Sequence, residues 1–327
     1  MPTTLSSADK LTAIELAKRF GKNDQILIIE GLSVQNEMLL DAPVFEATDG
    51  TINKTTVRQT MPSGKRRIYN EGIMPSASQT GQIEDRICML EDYSDVDKDL
   101  ADHSPDKNAF LDSEDKAFLM GMGKTQADAL IYDSHFVDSR QIDGLAMRYP
   151  ALADTYNVYG LSGTGNALTS GYLIRWGRAT AHLFYPRGHE SIGVKREFRG
   201  VTDIIKTNSE GKLVKMPGYS TFFSAHFGMS VRDKRAVKRL CNIPQTGVAG
   251  DAILTALIKA RNTLPAGDGN TVFYCNSFVK SLLDIYAMTK SNGCYTADDP
   301  WGRPCTIFQG IRIRQMDSIL NTESAVA

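Results

Sequence analysis

The sequence predicts an α+β fold with mixed, mostly antiparallel strands. Three observations support it. The second half interleaves short alternating apolar runs, such as residues 271–275 and the Ile311/Ile313 alternation, with stretches at helical spacing. A long helical pattern occupies the middle of the chain, near residues 113–132. Before it, residues 44–81 alternate like a β-hairpin yet carry very few large apolar residues. The chain has 327 residues, 42% of them hydrophobic, and its 37 Lys and Arg against 38 Asp and Glu leave a net charge of −1. That balance is globular. It excludes disorder, collagen and coiled coil as the main architecture, and it supplies no global basic field for nucleic acid or membrane.

Each element has its own local justification. Leu11, Ile14, Leu16 and Ala17 recur near helical spacing, with Ser7 as cap and Gly21 as stop, so a helix is expected over residues 7–20. Short stretches at 26–29 and 34–40 follow it. In the polar segment, Val57 and Met61 alternate with Arg58 and Thr60, Pro62-Ser63-Gly64-Lys65 has turn chemistry, and Arg66-Arg67-Ile68-Tyr69 is expected to return as the second strand. A hairpin with so little apolar surface does not stand alone in water. It must rest on the body of the protein or on a neighbouring molecule.

Residues 84–115 turn acidic. Twelve Asp and Glu face only Arg86, Lys98 and Lys107, a local charge of −9. The long helix is expected from Asp112 or Ser113 to Tyr132, with Glu114 and Asp115 in the first turn, where the helix dipole favours acids. Phe118, Leu119, Met122, Leu130 and Ile131 give it an apolar side. Gly121 and Gly123 are each unfavourable by about 1 kcal/mol against Ala, which predicts a bend or the close approach of another backbone. Further on, residues 172–176 and 180–185 read as a hairpin around Gly177-Arg178-Ala179, and 222–231 as a strand entering a basic stretch at a strand-to-helix junction. Ile253, Leu254, Leu257 and Ile258 mark one helix, and Phe278, Val279, Leu282, Leu283 and Tyr286 the next.

Chemical motifs are weak throughout. Gly121-Met122-Gly123-Lys124-Thr125 ends like a phosphate-binding loop, but Phe118 stands where the first Gly belongs and a helix pattern leads in. Asp95, Asp97 and Asp99 open like a calcium loop, with Leu100 in place of the required Gly. The better reading is a solvated acidic turn before a helix. Gly160, Gly163 and Gly165 lack the last Gly of the dinucleotide fingerprint, since Leu168 stands there. His103, His135, His182, His189 and His226 show no metal spacing, with His182 and His226 expected in strands. Cys88, Cys241, Cys275, Cys294 and Cys305 form no CxxC pair, so neither zinc nor a disulfide framework is indicated, and synthesis in a reducing cytoplasm is expected. No cofactor, metal or catalytic residue is assigned. Arg232, Lys234, Arg235, Lys238 and Arg239 read either as a phosphate or acidic-partner contact or as a solvated face. Acidic and basic blocks on a neutral chain fit a further idea, complementary contacts between identical copies.

At this point the ordered motifs resemble the major capsid proteins of tailed bacteriophages, nearest to those of short-tailed phages of Gram-negative hosts. Arg58-Gln59-Thr60-Met61-Pro62, Arg67, Asn70-Glu71-Gly72 and Pro75 resemble their extended loop. Met89-Leu90-Glu91, Val96-Asp97-Lys98 and Ser113-Glu114-Asp115-Lys116-Ala117-Phe118-Leu119 resemble the acidic lead-in and long spine helix. Asp143-Gly144-Leu145-Ala146-Met147-Arg148-Tyr149 is similar to the entry to their axial domain, and the segments at 228–235, 273–276 and 310–313 follow in order.

The resemblance implies the Hong Kong 97-type capsid fold. Its parts would be an N-terminal arm (1–43), an extended loop (44–81), a peripheral domain with the spine helix (82–141), a first axial part (142–215), a peripheral strand with the basic segment (216–242), and closing axial helices and strands (243–327). It implies pentamers and hexamers closing an icosahedral shell around double-stranded DNA, without sequence-specific binding, membrane or catalysis. It also implies a portal, a cementing or decoration protein and a scaffold as partners. The intersubunit candidates are Arg58, Pro62, Lys65, Arg66, Arg67 and Tyr69, with the cations at the hairpin tip seeking carboxylates of a neighbour's 84–115 stretch. Two rival readings are a nucleic-acid-binding protein using the cluster from Arg232 to Arg239 and a nucleotide hydrolase using Lys124 and Thr125.

Overall fold

The computed structural model describes residues 37–188, 192–207, 211–247, 250–267, 269–289, 294–298 and 304–327. The helix expected at 7–20 and the stretch at 26–29 lie outside the described residues, as do 34–36 and His189, while Glu37–Asp41 forms a short helix. The chain divides into two compact units, one containing Met89–Thr125 and Gly193–Ala225, the other Gln35–Cys88, Gln126–Ile192 and His226–Ala327.

The larger unit is organised by the strand Leu168–Trp176, which is buried along nearly its whole length. Asn270–Cys275 pairs antiparallel on one edge, with Phe273 opposite Leu173, and Val237–Pro244 pairs antiparallel on the other, with Leu240 opposite Gly171. A Cβ at Gly171 would lie 2.5 Å from the Phe273 ring, so this crossing needs glycine. Ile311–Gln315 adds a parallel strand beside Asn270–Cys275, followed by Pro304–Phe308 and Cys294–Asp298. The helices Gly250–Asn262 and Ser277–Thr289 supply Ile253, Leu257, Val279 and Leu283 to the same core as Leu173, Leu240 and Phe273. Ile311 and Ile313 point inward and Arg312 outward, as the alternation requires.

The smaller unit sets the helix Lys107–Tyr132, as far as Thr125, against the hairpin of Lys195–Thr207 and the first part of Leu213–Val231. Phe110, Leu111, Val96, Ala101 and Tyr219 form its core cluster, and Phe118 stacks on Phe223 with ring centroids 5.8 Å apart.

Several expectations are corrected. The long helix begins at Lys107 rather than Ser113 and has 26 residues, about 39 Å at 1.5 Å per residue. Asp106, not Asp112 or Ser113, opens it, accepting from Ala109 N at 3.1 Å, and this lets Phe110 and Leu111 join the core. Asp115 is buried rather than merely favoured by the dipole, and Arg196 neutralises it at 2.5 Å. Gly121 and Gly123 stay within the helix, and among the described residues nothing lies within 4 Å of where a Cβ would stand.

Residues 172–176 and 180–185 do not form a hairpin. Leu168–Trp176 has both edges taken by other strands, and Ala181–Tyr185 meets it only at Trp176 and Ala181. Ala181–Tyr185 instead pairs parallel with Val44–Glu46 and antiparallel with residues 228–231, with Phe184 opposite Gly228 and Ala181 opposite Val231. The basic stretch is a strand-to-strand connection through the 3-10 turn Lys234–Ala236, not a junction with a helix, because Asp233 caps the turn by accepting from Arg235 N. Among the described residues no helix is long and apolar enough to cross a membrane, and Cys88, Cys241 and Cys275 are free.

Candidate intersubunit interface

The hairpin is built from Ile52–Thr60 and Gln79–Arg86, paired antiparallel with Asn53 opposite Asp85 and Val57 opposite Gly81. The expected return strand at Arg66–Tyr69 does not exist. Residues 61–78 carry no strand, and the pairing resumes only at Gln79. The chain turns at Ile68–Glu71, where Glu71 N donates to Ile68 O at 3.2 Å and Asn70 takes φ 67°. Pro62-Ser63-Gly64-Lys65 is thus not the hairpin turn. Ile68 and Tyr69 lack cross-strand partners to bury against, so nothing holds them in a ladder.

Every residue from 58 to 80 is exposed. Met61, Ile68, Tyr69 and Met74 are among them, and Tyr69 is 97% exposed. Arg58, Lys65 and Arg66 have no ion-pair partner among the described residues, and Arg67 donates only to the backbone O of Glu71. The structure therefore brings Arg58, Pro62, Lys65, Arg66, Arg67 and Tyr69 together on one coreless projection, and among the described residues nothing covers their exposed surface.

The root of the projection is held differently. Asp85 is 4% exposed and accepts from Arg148 Nη2 at 2.7 Å. Arg148 also donates to Met229 O at 3.0 Å and, through Nε, to Asp143 O at 2.9 Å. Asp143 in turn bonds His135 Nδ1 at 2.5 Å. This root was not read from the sequence. The only signal was that Asp143 and Arg148 lie in one of the family-like segments, which does not reveal a partner 63 positions away at Asp85.

The basic cluster is not one surface. Lys238 and Arg239 are buried, at 1% and 5% exposure, while Lys234 and Arg235 are exposed and Arg232 lies between these extremes. Lys238 Nζ donates to Tyr156 O at 2.7 Å and to Asn157 Oδ1 at 3.0 Å, and burial pushes its ammonium down to about 8. Arg239 pairs with Glu323 at 3.0 Å, and Arg235 with Asp233 at 2.9 Å. A strand sends alternate side chains to opposite faces, and here both faces of Val237–Pro244 are covered.

Elsewhere, Lys124 and Thr125 stand exposed within a helix, where Thr125 Oγ1 donates back to Gly121 O at 3.1 Å; no phosphate cradle is present there. Asp97 caps Lys98–Asp102 by accepting from Asp99 N, and Asp95 accepts from Ser220 Oγ at 2.8 Å, so this acidic turn serves local structure. Lys98 and Lys107 flank Asp102 and hold its carboxyl below the usual range, whereas Glu91 and Asp92 remain exposed.

A mixed-sheet body with a long helix and a projecting hairpin is the architecture of a Hong Kong 97-type capsid subunit. A family model described as Major capsid protein GP7 matches residues 21–327, and the chain belongs to that family. Among solved structures, that of bacteriophage Epsilon15 is similar with a TM-score of 0.75 and 27% identity, covering 99% of each chain. The capsid of bacteriophage JBD30 has a TM-score of 0.48 and 12% identity, covering 86% of this chain and 90% of that one. A comparison with curated protein sequences finds no match.

Proposed function

We propose that this major capsid protein forms the pentamers and hexamers of an icosahedral head enclosing packaged double-stranded DNA, and that residues 61–78 bind a neighbouring copy. The exposed apolar set on a coreless projection, Met61, Ile68, Tyr69 and Met74, is the observation that carries the reading. Exposed apolar patches of this kind mark protein contact surfaces. Lys65, Arg66 and Arg67 are set to meet carboxylates, and the exposed Glu91 and Asp92 of a second copy supply them. In this reading the chain is made in the host bacterial cytoplasm, resides in the virion capsid, and meets a portal, a cementing protein and a scaffold. It needs no catalysis, no membrane and no sequence-specific DNA contact. Deleting residues 62–67 should leave folded subunits that do not close shells. Normal particles of that deletion in electron micrographs would overturn the hairpin assignment.

A further inference from the structure

Residues 316–327 cross the larger unit without a helix or a named strand. Met316 and Ile319 are buried, but from Leu320 onward no apolar side chain is. That final part is held by polar groups drawn from widely separated places in the chain. Tyr132 Oη receives Leu320 N at 2.8 Å and donates to Glu323 Oε1 at 2.6 Å. Arg239 Nη2 donates to Glu323 Oε2 at 3.0 Å, and Ser170 Oγ donates to the same oxygen. Glu323 exchanges both backbone hydrogen bonds with Leu168, at 2.9 and 3.2 Å. Ala325 N donates to Gly165 O at 3.0 Å, the Asn242 side chain bonds both Val326 N and Val326 O, and Leu152 N donates to Ala327 O at 2.9 Å.

The Glu323 side chain is 8% exposed and that of Arg239 6%. A buried guanidinium that loses its carboxylate is strongly unfavourable, so the body carries a charge that only an incoming acid completes. Three donors from Tyr132, Ser170 and Arg239 converge on one carboxylate, while Leu168, Gly165 and Asn242 read the main chain on either side. Attachment by main-chain pairing with one side-chain socket is how a protein binds an extended peptide.

We propose that this groove is a peptide-binding site for an extended segment with one glutamate, occupied within the subunit by residues 321–327, which act as a detachable strap. The inference does not depend on the shell reading. Removing the strap breaks the bond from Tyr132, the last residue of the helix Lys107–Tyr132, to Glu323 and leaves Arg239 without its carboxylate, holding only Ser170 and the carbonyls of Tyr149 and Ala146.

The test uses the full chain carrying Glu323→Gln. Hydrogen exchange should accelerate at least tenfold at the amides of Glu323, Ala325 and Val326, while those of strand Asn270–Cys275 keep their protection. A labelled synthetic peptide of residues 321–327 should then bind the E323Q protein saturably, and bind wild type at least tenfold more weakly because the strap is in place. The same peptide with Gln for Glu323 should not bind. Unchanged exchange at the three amides, equal binding of the two peptides, or uniform acceleration across the whole unit would each overturn the proposal.

Discussion

The hairpin Ile52–Arg86 and the strand pair at Leu168–Trp176 with Val237–Pro244 are both antiparallel β-structure, yet they are stabilised in opposite ways. The second lies inside the subunit, with Tyr172, Leu173, Ile174 and Leu240 fully buried. The first has ladder hydrogen bonds but almost no apolar burial beyond its root, and its apolar residues face solvent. Hydrogen bonds exchanged with water contribute little net stability, whereas apolar burial contributes about 25 cal/mol per Å². The central pair therefore stabilises the subunit, whereas the projecting part of the hairpin buries no apolar surface of its own.

That contrast can be broken most sharply with a matched pair of aromatic truncations. Phe273→Ala removes a fully buried ring from the core and should lower subunit stability by about 3–5 kcal/mol in urea denaturation. Tyr69→Ala removes a ring of similar size and should change subunit stability by less than about 0.5 kcal/mol. In an assembly assay the order reverses, with Tyr69→Ala reducing particle yield in subunits of normal stability. Equal destabilisation by the two substitutions would show that the hairpin packs on its own body.

The root of the hairpin gives the next largest effect. Arg148→Met leaves Asp85 buried with no cation, which should cost about 3 kcal/mol. Amide exchange should rise first in Ile52–Thr60 and Gln79–Arg86 rather than in the central sheet. Asp85→Asn with Arg148→Met should recover part of the loss, since no buried charge then remains. A double variant as unstable as the single one would assign the root to packing rather than to charge.

The same contrast explains what could be read in advance. Ile253, Leu257, Val279 and Leu283 repeat at helical spacing because they face one core, and both of their helices were legible from that spacing. The polar hairpin was legible as a segment lacking a core, but its register was not. Pro62-Ser63-Gly64-Lys65 has the residues of a turn, yet no buried face exists there to fix a register, and the chain turns at Ile68–Glu71 instead. The basic cluster misled for the opposite reason. Charge counts do not distinguish exposed Lys234 from buried Lys238, whose acceptors on Tyr156 and Asn157 lie more than eighty positions away. Nor does local sequence reveal that Arg239 and Glu323 meet.

A pH experiment examines the buried side of the comparison alone. His182 lies in the strand Ala181–Tyr185, packed edge-on against Phe45 with ring centroids 5.2 Å apart. Burial, with Arg232 and Arg178 nearby, pushes its imidazolium down to about 4 from the ordinary 6.5. Between those values the unfolded chain holds a proton that the folded chain does not. Stability contributed by the neutral ring is therefore intact above about 6.5 and falls with pH through the window, by roughly 2–3 kcal/mol near pH 4. Urea midpoints of wild type and His182→Gln between pH 7 and 4.5 should diverge in slope, with the variant flatter. Identical slopes would remove His182 as a source of acid sensitivity. Tyr69→Ala should follow wild type, because it leaves His182 in place and no titrating group among residues 58–80 is buried.

The smallest expected effect concerns Gly121 and Gly123, and it carries the comparison to the long helix. Neither glycine has a positive φ, and among the described residues nothing lies within 4 Å of a Cβ built on either. Against the described residues they are only a cost, so Gly121→Ala and Gly123→Ala should each stabilise the subunit by about 0.5–1 kcal/mol through restored helix propensity. If these positions are as free in the particle as in the subunit, assembly should proceed as for wild type. If a neighbouring chain lies across the helix at this height, each added methyl should reduce assembly while the subunit becomes more stable. Stability and assembly moving in opposite directions would mark the helix surface at 121–123 as a place of contacts made outside the subunit. Measuring both on the same double variant separates the two cases, because a loss of assembly in a stabilised subunit has no explanation in the subunit's own packing.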